Sequence, residues 1–327
     1  MSKVSHFSVI AGTFFWLLTL LCTPAAARTD FAHWLEGLER EALASGISAQ
    51  TLRTHLEGLE PIPRIIELDQ GQSGTRKGGR PSLQRYLARV VPDSRIRTAR
   101  QKYQENRELL QQVGTRFGVD PQFIVALWAV ESDFGRRTGS FPVVGALATL
   151  AHEGRRGDFF RGELLTILQL LDQGRIARSE IHGSWAGAMG QVQFMPSSFQ
   201  NFATDFDGDG WPDLWNSVPD ALASAANYLS VSGWQRGQGW GQKVRLPKGF
   251  KGKSDPDRMR TLKEWRKLGL KDVKGPDSRK AALVMPEGQG APAYLVYANY
   301  RVLRQWNRSN FFAMSVCHLA DRIAAAK

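Results

Sequence analysis

Residues Val119 to Gly135, V-D-P-Q-F-I-V-A-L-W-A-V-E-S-D-F-G, set one carboxylic acid, Glu131, in an apolar helical context. Asp120 suits an N-cap and Pro121 a first helical position, so the pattern predicts a helix starting here. Ile124, Leu127 and Trp128 recur at helical spacing, and Glu131 falls on the same stripe. A carboxyl held against Leu and Trp loses hydration in its charged form. Its pKa then rises, and it can donate a proton near neutral pH. Gly135 ends the helix, which leaves Glu131 near a C-terminus where the dipole also disfavours negative charge. The alternative is a structural glutamate at the rim of the core, paired with Arg136 or Arg137. Asp133 is the nearest second acid in the helix. At i+2 it points roughly 200° away around the axis, so the pattern supplies one acid and not a facing pair.

A second stretch, Gly183 to Pro196, reads G-S-W-A-G-A-M-G-Q-V-Q-F-M-P. Its three glycines allow backbone to approach a ligand, and Gln191 and Gln193, two apart, can present amides to one side. Trp185, Met189 and Phe194 offer flat contacts for a sugar ring. Tight helix–loop packing is the alternative reading of the same glycines.

The third is acidic: Asp205-Phe206-Asp207-Gly208-Asp209-Gly210-Trp211. Acids at loop positions 1, 3 and 5, Gly at 6 and a backbone carbonyl at 7 match the front of an EF-hand. Position 12 is Asn216 and not the usual bidentate Glu. Structural Ca²⁺ is expected here on Asp205, Asp207, Asp209 and the Trp211 carbonyl, with Asp220 able to close the site, to cap the following helix, or both. Such a cation braces the loop and takes no part in proton transfer.

The elements that must position these groups are mostly helical. Helical periodicity covers Phe31 to Glu57, Ser82 to Val90, Ser94 to Phe117, Val119 to Ser132, Arg161 to Gln173, a short helix from Pro196, Asp220 to Ser230 and Ser309 to Ala326. Gly71 to Pro81 reads as a loop. From Gly233 to Pro292 the chain is rich in Lys, Gly and Pro, with short apolar pieces at Lys243 to Leu246 and Ala281 to Met285 and one short helix, Leu262 to Leu268. The expected class is mainly α (α+β), divided into a signal (1–27), an N-terminal helical region (28–118), a catalytic core (119–232) carrying the acidic loop (205–220), a small basic strand-containing subdomain (233–296), and a segment returning to the core (297–327). There is no internal repeat and no separate wall-binding module in this reading.

Lys3, the apolar run Val9 to Leu21 and Ala25-Ala26-Ala27 read as an export signal. The run is about a dozen residues, short for a bilayer span. Leu21, not a small residue, precedes Cys22, so cleavage after Ala27 is expected over lipid attachment, with an uncleaved anchor as the alternative. Removing residues 1–27 takes away one Lys and no acid and lowers the formal charge from +12 to +11. Cys317 is then the one cysteine left, which excludes an internal disulfide; it reads as a small buried hydrophobe. A pI near 9.9 calls for a polyanionic partner. Nucleic acid is a poor fit outside the cytoplasm, and no recognition motif for it is present.

Glu131-Ser132 closing a helix, the Gly183–Pro196 motif, A-N-Y-L at Ala226 to Leu229 and Y-A-N-Y-R-V-L-R-Q-W-N-R-S-N-F-F-A at Tyr297 to Ala313 resemble, in order from Phe31 to Ile323, the lytic murein transglycosylase B family (glycoside hydrolase family 103). The resemblance implies a lysozyme-like helical core that cleaves the MurNAc–GlcNAc β-1,4 bond of peptidoglycan in the periplasm, leaving 1,6-anhydro ends. Glu131 would be its catalytic acid and then base, with no catalytic cofactor. By the same matching Tyr86, Ser132, Arg155, Arg156, Ser184, Met189, Gln191, Gln193, Phe194, Tyr228, Trp306, Asn307 and Phe312 fall at or beside substrate-groove positions. Trp306 and Phe312 stand where tyrosines are expected, which keeps apolar stacking but loses phenol hydrogen bonds. The implied partners are peptidoglycan glycan strands, with membrane or wall-synthesis proteins as further candidates and a monomer as the expected state. A water-using muramidase, a non-catalytic wall-binding scaffold and a calcium-dependent adhesion protein are the competing readings. Gly71 to Gly79 and the basic Lys248 to Lys280 region either set such contacts or are solvated surface.

Overall fold

The structure, a computed structural model, describes residues 24–73, 82–153, 155–176 and 181–325. The export-signal residues before Pro24, Cys22 among them, and most of the loop expected at 71–81 lie outside the described residues. Among the described residues the protein is mainly α-helical with two small antiparallel sheets, as the class reading expected. Among the described residues no helix is long and apolar enough to cross a membrane.

Helices α1 (Pro24–Ala44) and α2 (Ala49–Leu56) replace the single helix expected over 31–57. Gly46 takes φ 88° and Ile47 N–H reaches back to the Ala42 carbonyl, a C-terminal closure that only a left-handed residue permits. Ser48 then caps α2 by accepting from Thr51 N–H. Helices α3 (Pro63–Ser73) and α4 (Leu83–Val90) follow. The helix expected over 94–117 is likewise two, α5 (Asp93–Glu105) and α6 (Arg107–Phe117). They part at Asn106, whose side chain donates to the Lys102 carbonyl and competes with the helical ladder.

Helix α7 (Pro121–Ser132) carries Glu131. Every residue from Phe123 to Ala129 is buried, so the expected stripe is in fact burial on all faces. Asp120 precedes it but makes no capping bond; its carboxylate accepts instead from Trp234 Nε1 and Gly237 N–H, tying the start of α7 to the end of the helical body.

Strand β1 (Phe141–Pro142) leads into α8 (Val143–His152), and α9 (Gly157–Asp172) packs against α8. Strand β2 (His182–Gly183) pairs antiparallel with β1, in register Phe141↔Gly183. Helix α10 (Pro196–Phe202) bridges α9 and α11 (Val218–Val231), and α11 rests on α6 and α7. Helix α8 had no counterpart among the expected elements, since its Val and Ala run lacks helical alternation and all but Val144 and the terminal His152 are buried.

Beyond Gly233, β3 (Gly241–Val244), β4 (Arg260–Thr261), β5 (Lys280–Val284) and β6 (Ala293–Val296) form an antiparallel sheet in the order β3-β6-β5-β4, with α12 (Leu262–Lys267) opened by a Thr261/Glu264 capping box. The sheet has two buried faces. Ala282, Val284, Tyr294 and Val296 join the main helical core, while Ala281, Leu283, Ala293 and Leu295 join a local core with Leu262 and Trp265. Helix α13 (Ala298–Trp306) then returns to the helical body and α14 (Asn310–Ala324) lies along α7. Cys317 on α14 is fully buried and free, the small hydrophobe it was expected to be.

Asp120→Ala is expected to leave the buried Trp234 indole N–H without its acceptor and to lower unfolding free energy by about 1–3 kcal/mol, read from urea denaturation at unchanged m-value.

Candidate active site

Three consecutive left-handed residues, Asp133 (φ 55°), Phe134 (φ 63°) and Gly135 (φ 80°), stop α7 directly after Glu131 and Ser132. Two of them are not glycine, so the turn is strained and is held by its surroundings. Phe134 packs edge-on against Trp128 at 5.4 Å, and its N–H bonds the Trp128 carbonyl. The buried Ser132 hydroxyl donates to the Gln191 carbonyl at 2.5 Å and accepts from Gly135 N–H at 2.8 Å.

Glu131 keeps only part of its surface open to solvent. No arginine pairs with it in the described contacts. Arg136 goes to Asp133, and the hydrogen bond to Glu131 Oε1 comes from Trp306 Nε1 at 2.6 Å. Burial pushes the Glu131 carboxyl up to about 7, against the opposing effect of the indole donor, which favours the charged form. Asp133 goes the other way. Burial raises it, but the hydrogen bond and charge of Arg136, helped by Arg95 and Arg137, hold it below the usual carboxylate range. One acid is therefore protonatable near neutrality and its neighbour stays ionised.

Around the Glu131 carboxyl stands a group of aromatic rings. Trp306 lies 5.3 Å from Phe194 and 4.8 Å from Tyr228, and Tyr228 meets Phe202 at 4.6 Å. Tyr86 on α4 sits against Phe311 at 5.2 Å with Arg89 over its ring. Its hydroxyl is pushed up by burial, eased by Arg89, and raised again by the charge of Glu131. Phe312 is buried at the start of α14, where its N–H bonds Ser309 Oγ, and Asn307 accepts from Ser309 N–H.

The glycine-spaced segment lies against α7 and shapes this wall. Its glycines serve protein packing in the first instance. A Cβ on Gly183 would strike the Ala188 carbonyl, one on Gly187 would come within 2.5 Å of Leu147, and one on Gly190 within 2.6 Å of the Leu214 carbonyl. Gln191 is buried, accepting from Trp128 Nε1 at 2.9 Å and donating to the Trp215 carbonyl at 3.1 Å. Gln193 sits at φ 50° with its Nε2 donating to the carbonyls of Thr138 and Gly190. Met189 is buried in bridges to Gly183 and Phe194, and Ser184 Oγ accepts from the N–H groups of Ala186 and Ala188. Arg155 and Arg156, at the α8–α9 turn, both bind Asp69, Arg155 through two nitrogens. Asp69 was not singled out in the sequence. Its one signal is position, four residues after the buried Ile65 on α3, which carries no chemistry of its own.

In the acidic loop, carboxylate oxygens of Asp205, Asp207, Asp209 and Asp220 lie within 4.8 Å of one another. Ser217, and not Asp220, is the N-cap of α11; it accepts from Asp220 N–H at 3.2 Å. Asp220 is free to turn inward, where it is fully buried and accepts from Phe206 and Asp213 N–H. Burial raises its pKa, against the backbone donors and with the charge of Asp207. Four converging hard oxygens are the donor chemistry that Ca²⁺ takes.

A mainly helical body with one protonatable acid at a helix end, walled by aromatic rings, is the arrangement of a lysozyme-like glycan-cleaving protein. Comparisons agree at three levels. The transglycosylase SLT domain matches residues 30–321. Membrane-bound lytic murein transglycosylase B of Escherichia coli (strain K12) is 30% identical over 293 residues, covering 86% of this chain and 80% of that protein. Among solved structures, SltB3 of Pseudomonas aeruginosa in complex with NAG-anhNAM-pentapeptide superposes with a TM-score of 0.81 at 39% identity, covering 90% of this chain and 79% of that one. The Escherichia coli lytic transglycosylase Slt35 in complex with calcium gives 0.77 at 26% identity, with 93% and 95% covered. The chain belongs to the transglycosylase SLT domain family.

Gly190→Ala is expected to destabilise the wall, since φ 67° and the Leu214 carbonyl both oppose a side chain. A loss of about 1–3 kcal/mol in unfolding free energy, measured by chemical denaturation, is the expected size.

Proposed function

We propose that this chain is an exported lytic transglycosylase of the cell wall that cleaves the MurNAc–GlcNAc β-1,4 bond of peptidoglycan without water. The observation that carries the reading is Glu131, protonatable at about neutral pH beside a helix end, with Asp133 committed to Arg95 and Arg136. Glycosidases that use water need a second carboxylate to activate it or to attack the sugar. An intramolecular closure does not. The Glu131 proton passes to the glycosidic oxygen as the C1–O bond breaks. The resulting carboxylate takes the proton of the muramyl C6 hydroxyl as that oxygen bonds to C1. The ring closes to 1,6-anhydro-MurNAc and Glu131 is protonated again. A tethered nucleophile has a high effective concentration, which lessens the need for a second protein base.

The aromatic wall of Tyr86, Tyr228 and Trp306 supplies flat surfaces for sugar rings, with the buried Phe194, Phe312 and Met189 behind it. Ser184, Gln193 and Asn307 bring polar groups to the substrate, while Ser132 and Gln191 hold the loop to α7. Arg155 and Arg156 offer charge for peptide carboxylates. The fragment complex of the Pseudomonas aeruginosa relative supports a peptidoglycan ligand, and the export-signal pattern supports a periplasmic location. No catalytic cofactor enters this scheme.

Glu131→Gln retains an acceptor for the indole and should keep the fold. It should abolish soluble muropeptides ending in 1,6-anhydro-MurNAc when purified sacculi are digested with residues 28–327 and the products are weighed by mass spectrometry. Reducing MurNAc ends would point to hydrolysis, and anhydro product from the variant would remove Glu131 from its role. Because the acid must begin protonated, turnover should fall as pH rises through about 7.

The second reading is structural Ca²⁺ on Asp205, Asp207, Asp209 and Asp220 with the Trp211 carbonyl, favoured by the convergence of the four carboxylates and by the calcium complex of the Escherichia coli relative. A chelator should lower the melting temperature by several degrees and added Ca²⁺ restore it, while Asp220→Asn should remove the response. An unchanged melting temperature on chelation rules the site out.

A further inference from the structure

We infer that Trp306 is a positioning residue, whose indole N–H takes up Glu131 Oε1 so that the transferable proton is carried on Oε2. This rests on the reading of Glu131 as the acid. An indole nitrogen can donate but cannot accept. At 2.6 Å the Nε1–H occupies one of the two acceptor positions of Oε1. A carbonyl oxygen accepts more strongly than a hydroxyl oxygen, so the bond favours Oε1 as the carbonyl and the proton on Oε2. A hydroxyl in the same place could turn and accept, leaving either oxygen free to bear the proton. Trp306 weights that choice toward Oε2.

The indole is itself held. Phe194, from the glycine-spaced segment, and Tyr228, from α11, pack on its ring at 5.3 and 4.8 Å, so two separate elements set the N–H direction of a residue carried by α13. The loss of phenol hydrogen bonding expected from a tryptophan at this position is thus met by a donor of another kind. In the reaction the O–H on Oε2 gives its proton to the glycosidic oxygen while the C1–O bond breaks. The new charge is shared with Oε1 and is stabilised there by the N–H. Oε2 then takes the C6 hydroxyl proton as O6 bonds to C1.

The other ionisable groups on the surrounding elements face away from Glu131 or onto other side chains, and the buried Nε2 of His318 has no hydrogen-bond partner among the described residues. Tyr86 of α4 senses the Glu131 charge beneath Arg89. Asp133 is engaged by Arg95 of α5 and by Arg136. On α14, His318 and Asp321 face Trp240, and Cys317 is buried. On α6, Arg116 lies over Phe117 and Phe206, and Tyr228 of α11 faces Trp306 itself.

The test is Trp306→Phe, which keeps a ring between Phe194 and Tyr228 and removes the donor. Infrared titration of the Glu131 carboxyl, identified as the band absent in Glu131→Gln, should give a midpoint near 7 in the parent protein. In Trp306→Phe the midpoint should be higher, because a donor to the charged form has been lost. On sacculi, kcat should fall about ten-fold or more with KM nearly unchanged, and the alkaline limb of the kcat profile should move up with the infrared midpoint. A raised KM with neither midpoint nor limb displaced would mean that Trp306 only stacks on sugar, and would overturn the inference. The infrared arm does not depend on turnover. A displaced midpoint in a protein that releases no anhydro product would leave the Trp306–Glu131 arrangement standing and remove the proposed reaction instead.

Discussion

A carboxyl that must hold its proton near neutrality has to be kept from water, yet remain within reach of a substrate. Much of this architecture answers those two demands at Glu131. Burial alone would suffice to raise its pKa, but an unpartnered buried carboxyl is costly once it ionises. The Trp306 indole bond tempers that cost, and it does so from a helix 175 positions further along the chain. Holding the indole in place requires Phe194 and Tyr228, and holding Phe194 requires the glycine-spaced segment to lie flat against α7 and Leu214. The acid, the wall and the loop behind the wall are thus consequences of one hydrogen bond in a dry place.

The turn after Glu131 belongs to the same scheme. Two non-glycine residues in left-handed conformation reverse the chain at once, so Asp133 leaves the side of the helix that Glu131 occupies and meets Arg95 and Arg136. The local strain is offset by the Ser132–Gln191 and Trp128–Gln191 bonds and by Phe134 packing edge-on against Trp128. Two carboxylates two residues apart thereby end with opposite protonation behaviour.

How much of this could be read in advance depended on range. Glu131 on an apolar helix, the acids of the 205–220 loop, the mainly helical class and the strand pieces at 243–246 and 281–285 were legible because each rests on local spacing. Helix ends were less so. Gly46 and Asn106 break two helices that periodicity alone runs together, since side-chain competition and left-handed closure leave the apolar spacing intact. Helix α8 escaped because eight of its ten residues are buried and it lacks the Asp-Pro start that marks α7. The alternative arginine partner of Glu131 is not there among the described residues and a tryptophan donates in its place, and the glycines expected to admit a ligand admit Leu147 and Leu214. Both differences are long-range, and no local pattern encodes which distant side chain arrives.

Strands β5 and β6 give one face to the helical body and the other to the local core with Trp265, leaving little of either strand in contact with solvent. A sheet used on both sides tolerates little change in its own residues, whereas in its connecting segments the packing falls on Leu246, Phe250, Leu270 and Val273 and the charged residues between them lie mostly at the surface. Residues 233–296 hold 15 basic and 6 acidic side chains, most of them in those segments and at the strand edges. The electrical character of the protein can therefore drift while its architecture stands still. Surface charge and the geometry around Glu131 are, in this chain, set by separate residues.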